Sequence, residues 1–497
     1  MDENVVFNPP SQNNQETQQP PEAPSGEDPN VPTPDTTDEA VPDDQAEGDG
    51  TEEEVVEEAP GGFFSGGLIK KILIGLGVFI LLIIVIIILI PKGGQSNKQV
   101  TLTWWGLWED SSTMQPLILD FEKTHPNIKI TYVKEDPSQY DDQLQARIQN
   151  GNGPDIFLYH NTWLPMLISD LSPLPSSVIT PDEFKQVYYP VMQQDLVQNG
   201  AIYGIPMEAD TLALFVNPSL FQDASVQVPT NWDQFTQAAK SITVKDSTTG
   251  KIKTAGAALG TDNNITHWPD IVSLLFLQQG VQMNNFSSFA SNESSALQFY
   301  TSFAIPSNNV WDNTLDDSIL AFSKGNLAMY FGYSWDVFQI QQLNPNLNFK
   351  IYPVPNLYGK STTVASYWVN GVSSKSPNQQ EAMEFMQFLS QKSTAQELYT
   401  QTAKIRPFGE LYARKDLQQS LRENQLAYPF VSQLDNAGSS FFASNTDDGD
   451  TGINTQMNNY LQTAVDTTLS NQGQAQSPVQ DLDNGVTQVL QKYGQGQ

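Results

Sequence analysis

Residues 99–105 read QVTLTWW, a β-strand running into a loop at 106–112, and the chain then alternates its hydrophobic period. TMQPLILDFEKTH (113–125) carries apolar residues at helical spacing, and NIKITYVKE (127–135) alternates as a second strand. A helix over SQYDDQLQARIQNG (138–151), the turn GNGPD and the apolar strand IFLYH (156–160) complete the series. Strand, helix, strand, helix, strand predicts an α/β domain with a largely parallel sheet. In such sheets ligands settle on the loops beyond the strands' C-terminal ends. That rule singles out residues 105–110, 159–163 and the stretch after AIYGIP (201–206).

Upstream the composition changes twice. Residues 1–66 hold 18 of the 56 Asp and Glu and no Lys or Arg, and residues 1–60 contain ten prolines. So little apolar surface cannot offset the entropy of ordering, and a disordered acidic tail is expected. Residues 72–90 (ILIGLGVFILLIIVIIILI) carry no charge and no polar side chain. As a helix they would span about 28 Å, close to a bilayer's hydrocarbon core. The acidic residues ahead of them and the lack of a small-residue cleavage site argue against a signal peptide. The expected order is therefore tail 1–66, transmembrane helix 67–91, linker 92–98 and a folded domain at 99–497. Lys70 and Lys71 favour an N-terminus inside.

Composition also excludes chemistry. Beyond residue 66 the chain has 38 acids against 24 bases, a net −14, which argues against a nucleic-acid partner. There is no cysteine, and the only histidines are His125, His160 and His267. Disulfides, thiol nucleophiles and Cys-zinc sites are ruled out, and no cofactor or metal is expected. NTDDGD (445–450) does not fit a calcium loop and reads as solvated acidic loop. No GxxxxGK loop is present, so the chain is not its own ATPase.

Six motifs follow in order: TLTWWG, GNGPDIF, NGAIYGIPMEADTLALFVNPSLF, VPTNWDQF, FSKGNLAMYFGYSWD and SYWVNGVSSKSPNQQEAMEFMQFLS. Each has a scaffold reading. Asp155 shapes the turn before a strand, Trp232 is core behind an Asn231 cap, and Ala382, Phe385, Met386 and Leu389 form one apolar helix face. Together the motifs resemble the extracellular solute-binding proteins of the carbohydrate-uptake ABC transporter class, kin of the maltose-binding protein, over about residues 99–490. The resemblance implies a two-lobed periplasmic-binding-protein-like (type II) α/β fold. Lobe one would be about 99–210 and 350–402, and lobe two about 213–347 and 405–497, with a ligand cleft between them.

The cleft residues follow from the resemblance. Trp105, Trp108, Glu109 and Asp110 lie in the first strand-to-helix loop, which lines the cleft in this family, whereas Trp104 alternates inward. Tyr159 matches a sugar-stacking aromatic, and Asn161 and Trp163 share its loop. Asp210 matches an acidic residue that binds sugar hydroxyls, with Glu208 as its near alternative. Trp335 in GYSWD matches a stacking Trp, with one extra residue in this chain. His267 and Trp268 open a helix facing the cleft. Trp368 and Asn370 stand where the family often has small residues, and would fill part of the cleft and limit ligand size. Arg406 reaches the cleft or anchors the hinge, and Phe441 and Phe442 are substitutes for a C-terminal aromatic. Flat aromatics suit a sugar's C–H face and carboxylates its hydroxyl rim.

The implied function is capture of a small-molecule solute, a saccharide, for the permease subunits of an ABC importer. The chain would perform no catalysis and would be anchored in the plasma membrane by one helix, N-terminus cytoplasmic and binding domain outside. A ligand sensor or surface adhesin without transport is the alternative, motivated by the acidic tail. A glycoside hydrolase using two carboxylates is a further reading that no catalytic motif supports.

Overall fold

The computed structural model describes residues 99–306 and 309–495. The tail, transmembrane helix and linker expected at 1–66, 67–91 and 92–98 lie outside these residues. Internal contacts group Gly94–Gln497 as one compact unit. Among the described residues no helix is long and apolar enough to cross a membrane.

The opening series forms as the hydrophobic periods require: β1 (Val100–Gly106), α1 (Ser111–Thr124), β2 (Ile128–Lys134), α2 (Tyr140–Gln149) and β3 (Ile156–His160). Next come β4 (Ile205–Pro206), β5 (Asp210–Thr211), β6 (Ala213–Val216), α3 (Trp232–Ile242), α4 (Trp268–Gln279) and α5 (Ala290–Thr301). The later elements are β7 (Met329–Gly332), α6 (Asp336–Leu343), β8 (Lys350–Tyr352), β9 (Thr363–Ser366), β10 (Trp368–Val372) and α7 (Gln379–Leu389). β11 (Ala437–Gly438), α8 (Ile453–Ser470) and α9 (Gln476–Lys492) complete the set used below.

Two lobes are built on two main sheets. The first has the order β2-β1-β3-β10-β4; β2, β1 and β3 are parallel, while β10 and β4 join antiparallel. The second has the order β7-β6-β8 and is wholly antiparallel, so the largely parallel expectation holds only for the opening strands. β6 (ALFV) is buried along its whole length, as a central strand covered on both faces requires. Lys350 of β8 pairs with Val216, so the chain is still in the second sheet at 350–352. The return to the first sheet therefore comes after Tyr352 rather than at 350. A third, short sheet, β11-β9-β5, carries the crossings between lobes.

Scaffold readings of the motifs are met by specific contacts. Asn231 Oδ1 caps α3 by accepting from Gln234 N at 2.9 Å, and buried Trp232 donates from Nε1 to Gln278 Oε1 at 2.7 Å. Ala382, Phe385, Met386 and Leu389 are the buried residues of α7. Asp155 is buried between three donors: Thr103 N at 2.8 Å, Ser376 Oγ at 2.5 Å and Asn378 Nδ2 at 3.2 Å. It thereby ties β1 to the turn after β10, and removing it leaves the buried Ser376 hydroxyl without its acceptor and frees two half-buried donors. Asp155→Ala is expected to lower the unfolding free energy by about 3 kcal/mol in urea titration. A loss below about 1 kcal/mol would show that the turn repacks without it.

Candidate functional site

On the first lobe the site is assembled at the ends of β1 and β3, where parallel strands stop and their loops splay. Trp108, just past β1, is 41% exposed. Its ring meets Trp368 edge-on at 5.4 Å. Trp368 opens β10 opposite His160 of β3, and its N–H donates to Glu208 Oε1 at 2.8 Å. Trp108, Glu109, Glu208, Trp368 and Asn370 line one cavity of about 50 Å³, together with Tyr132, Met207 and Glu410. Arg406 Nη2 stands 3.2 Å from Glu109 Oε1 and 2.5 Å from Glu410 Oε1, and its guanidinium lies 5.3 Å over the Phe338 ring of α6. Arg406 thus joins the two lobes. Glu410 was not foreseen; an opposite charge four residues from Arg406 was the only signal.

Three carboxylates here share one guanidinium, and their protonation follows. Burial, then the like charge of Glu410, pushes Glu109 up to about 8 against the pull of Arg406 and Lys134. Burial, then Glu410, raises Glu208 well above the carboxylate range. A carboxyl that keeps its proton near neutrality donates as well as accepts, which a rim of hydroxyls can use from either side.

The second lobe contributes the turn FGYSWD. At Gly332 a Cβ would stand 2.2 Å from Asp336 Oδ2, so only glycine lets that carboxylate fold back. Asp336 Oδ2 accepts from Tyr330 OH at 2.9 Å, Tyr333 N at 3.1 Å and His267 Nε2 at 2.8 Å. Tyr333 and Trp335 stack at 4.5 Å and 13°, and Trp335 stays 37% exposed. Trp268, beside His267, is half-buried. Asp210 ties this turn to the crossing: Oδ2 accepts from Ser334 N at 2.8 Å and Oδ1 from Thr211 N at 2.7 Å. Burial raises Asp210 to about 7.

His267 Nδ1 lies 2.8 Å from Ser444 Oγ, so Ser444, His267 and Asp336 form a chain that in outline matches a hydrolytic triad. The electrostatics oppose that role. Burial disfavours the imidazolium, but Asp336, Asp270 and Asp317 outweigh it and raise the His267 pKa. Both ring nitrogens face acceptors, the Asp336 carboxylate and a Ser444 hydroxyl whose own proton goes to Asn445, so neither offers serine a lone pair. Ser444 Oγ in turn donates to Asn445 Oδ1 at 3.0 Å. The chain fastens the C-terminal segment to α4.

The remaining candidates lie in the interior or at the rim. Trp105 is buried, with Arg147 5.4 Å over its ring, and buried Tyr159 donates to Tyr203 O at 3.3 Å. Asn161 is buried and donates to Asp195 Oδ2 at 3.0 Å and Ser439 Oγ at 2.7 Å. Trp163 Nε1 donates to Thr446 Oγ1 at 2.9 Å and Asn454 Oδ1 at 3.0 Å. Asp110 pairs with Lys134 at 2.7 Å on the surface, and Asn370 Oδ1 accepts from the Trp104 indole at 2.9 Å. Phe442 is core against Phe276 and Phe286, whereas Phe441 is half-buried and its carbonyl accepts from Asn454 Nδ2.

The stretch 445–450 is not simply a solvated loop. Asp448 is buried and its carboxylate accepts from Asn454 N and Thr455 N, two of the orphan donors in the first turn of α8. Asn445 Nδ2 reaches Ser366 Oγ at 3.0 Å. Among the described residues no group of three or more His, Asp and Glu is placed to hold a metal ion.

Comparison with known proteins accords with this geometry. The family described as bacterial extracellular solute-binding protein matches residues 105–396. The multiple sugar-binding protein of Streptococcus mutans is 21% identical over 321 residues, 59% of this chain and 71% of its own length. The sugar-binding protein MalE of Xanthomonas citri superposes with a TM-score of 0.64 at 21% identity, over 79% of this chain and 98% of its own. An ABC transporter solute-binding protein of Thermotoga lettingae, bound to α-D-tagatose, gives 0.59 at 19% identity over 79% and 100%. Relatives of this kind are binding proteins and not enzymes. With more than half its length matched by that family, and with two lobes meeting at an aromatic and carboxylate-rich seam, this chain is a bacterial extracellular solute-binding protein.

Proposed function

We propose that the domain captures a saccharide in the cleft between its lobes and delivers it to the permease subunits of an ABC importer. The helix expected at 67–91 would hold it in the plasma membrane, with the N-terminus cytoplasmic and the domain outside. One observation carries the reading: of nine tryptophans, Trp108 and Trp335 alone are exposed, and each stands at the seam beside carboxylates. Leaving such rings in water forgoes burial energy that the other seven collect, and a sugar's apolar face recovers it. The sugar-binding relatives support the same class of ligand.

Titration calorimetry of residues 94–497 against mono- and oligosaccharides should give saturable binding without turnover. Trp108→Ala and Trp335→Ala should each weaken it roughly tenfold or more, at a stability cost of about 1–3 kcal/mol from the lost contacts with Trp368 and Tyr333 that leaves the domain folded. Unchanged affinity in both variants would place the ligand elsewhere.

The buried carboxyls make stability depend on pH with a definite sign. Folding raises Asp210 from 3.8 to about 7 and Glu109 from 4.5 to about 8, so the folded state holds protons that the unfolded chain releases. Their contribution is fully present below about pH 4 and is lost as pH rises through 7–8. Burial likewise raises Asp195 to about 6 and Asp141 to about 7, adding the same sign. The melting temperature should therefore be higher at pH 5 than at pH 8.5, and Asp210→Asn with Glu109→Gln should flatten the slope. A melting temperature that climbs from pH 5 to 8.5 would contradict the protonation described.

A further inference from the structure

We infer that Trp368 is a fixed plug that limits this site to short ligands, a mono- or disaccharide, and this rests on the saccharide reading above. Its backbone is held by the β10 ladder, with Val369 paired to both Tyr159 and Pro206, and by its own N–H bond to Glu208. Its ring is boxed edge-on by Trp108 at 5.4 Å, His160 at 5.4 Å and Trp163 at 5.2 Å. Edge-to-face contacts on three sides oppose any swing of the indole out of this position. Trp108 belongs to the loop after β1, while His160 and Trp163 belong to the end of β3 and the turn that follows. The indole therefore fills the space between the two strand-end loops where an α/β lobe ordinarily receives its ligand.

The space it leaves is small. The cavity at Trp368 measures about 50 Å³, whereas small-molecule sites commonly offer roughly 300–1,000 Å³. A sugar held by Trp108 thus lies across the mouth of the lobe and meets the indole instead of running past it. The chain of a longer oligosaccharide has no path between the loops while the indole is there. Taking it away joins the cavity to the mouth and adds room beside Glu109 and Glu208, which line it.

Calorimetric titration of residues 94–497, and of the Trp368→Ala and Trp368→Phe variants, against the malto-, cello- and manno-oligosaccharide series from one ring to six tests this. In whichever series binds, the wild type should favour the monosaccharide or disaccharide. Trp368→Ala should gain at least tenfold for a longer member, and Trp368→Phe, which keeps an aromatic ring in the box, should gain less. Tetrasaccharide binding by the wild type as tight as disaccharide binding would overturn the plug. So would a folded Trp368→Ala that loses the short sugars and gains no longer one, since the indole would then be a stacking platform. Absence of binding by all three proteins across all three series would instead sink the saccharide reading, and the plug with it.

Discussion

The antiparallel pairing of Asp210–Thr211 with Ala365–Ser366 holds two chain crossings side by side, and β11 adds a third strand to the same small sheet. Segments of both lobes and of the C-terminal region are attached to it. From one strand of the pair, the Asp210 carboxylate reaches Ser334 N beside the exposed Trp335. From the other, the Ser366 hydroxyl lies 3.1 Å from His160 Nε2 at the end of β3 and accepts from Asn445 of the C-terminal segment. Two residues on, Trp368 opens β10 and takes its place in the first lobe's main sheet. A short extended crossing braced by backbone bonds can twist but cannot easily stretch, so relative motion of the lobes is confined to rotation about it.

Charge at the seam is arranged around the same constraint. Arg406 is the one cation shared by Glu109 and Glu410, and its flat face lies over Phe338 of the second lobe. A half-buried guanidinium pairs well there because it is planar and weakly hydrated. With Glu208 also in the cavity, the carboxylates outnumber the cation, and burial is tolerated because some of them keep their protons. The arrangement favours neutral polyhydroxy ligands over anionic ones, since the one guanidinium is already paired and the protonated carboxyls offer an anion no counter-charge.

Much of the fold was legible in the sequence. The opening β-α-β-α-β series, the Asn231 cap, the apolar face of α7 and the inward Trp104 all rest on local period or local hydrogen bonding, which nearby residues encode. The antiparallel second sheet was not, because strands such as ALFV and MYFG are buried on both faces and show no alternation to orient them. The site was legible as types and not as contacts. Trp108, Glu109, Glu208, Trp368 and Asn370 do converge on one cavity, yet Asn370 spends its carboxamide on Trp104, and Trp163 is spent on Asn454, 291 residues away. Partners that distant leave no trace in spacing. Nor does Asp448, whose acidic neighbours read as solvent-facing until the start of α8 is seen to need it.

The two exposed indoles are divided between the lobes, and that division decides what a ligand must do to close them. Shifting a two-state hinge from 1:99 to 99:1 requires about 5.5 kcal/mol of preferential binding to the closed form. One ring face buried against a sugar contributes on the order of 1.5 kcal/mol, and one hydrogen bond to a carboxylate about 2 kcal/mol. Contacts with Trp108 and Glu109 alone bind both states equally, because they stay on one lobe, and such binding shifts nothing. A ligand that also touches the second lobe, as at Trp335, makes contacts that exist in the closed state and not in the open one. The proposed capture of a sugar thus calls for a ligand at the mouth, touching both rings, with the Trp368 indole behind Trp108.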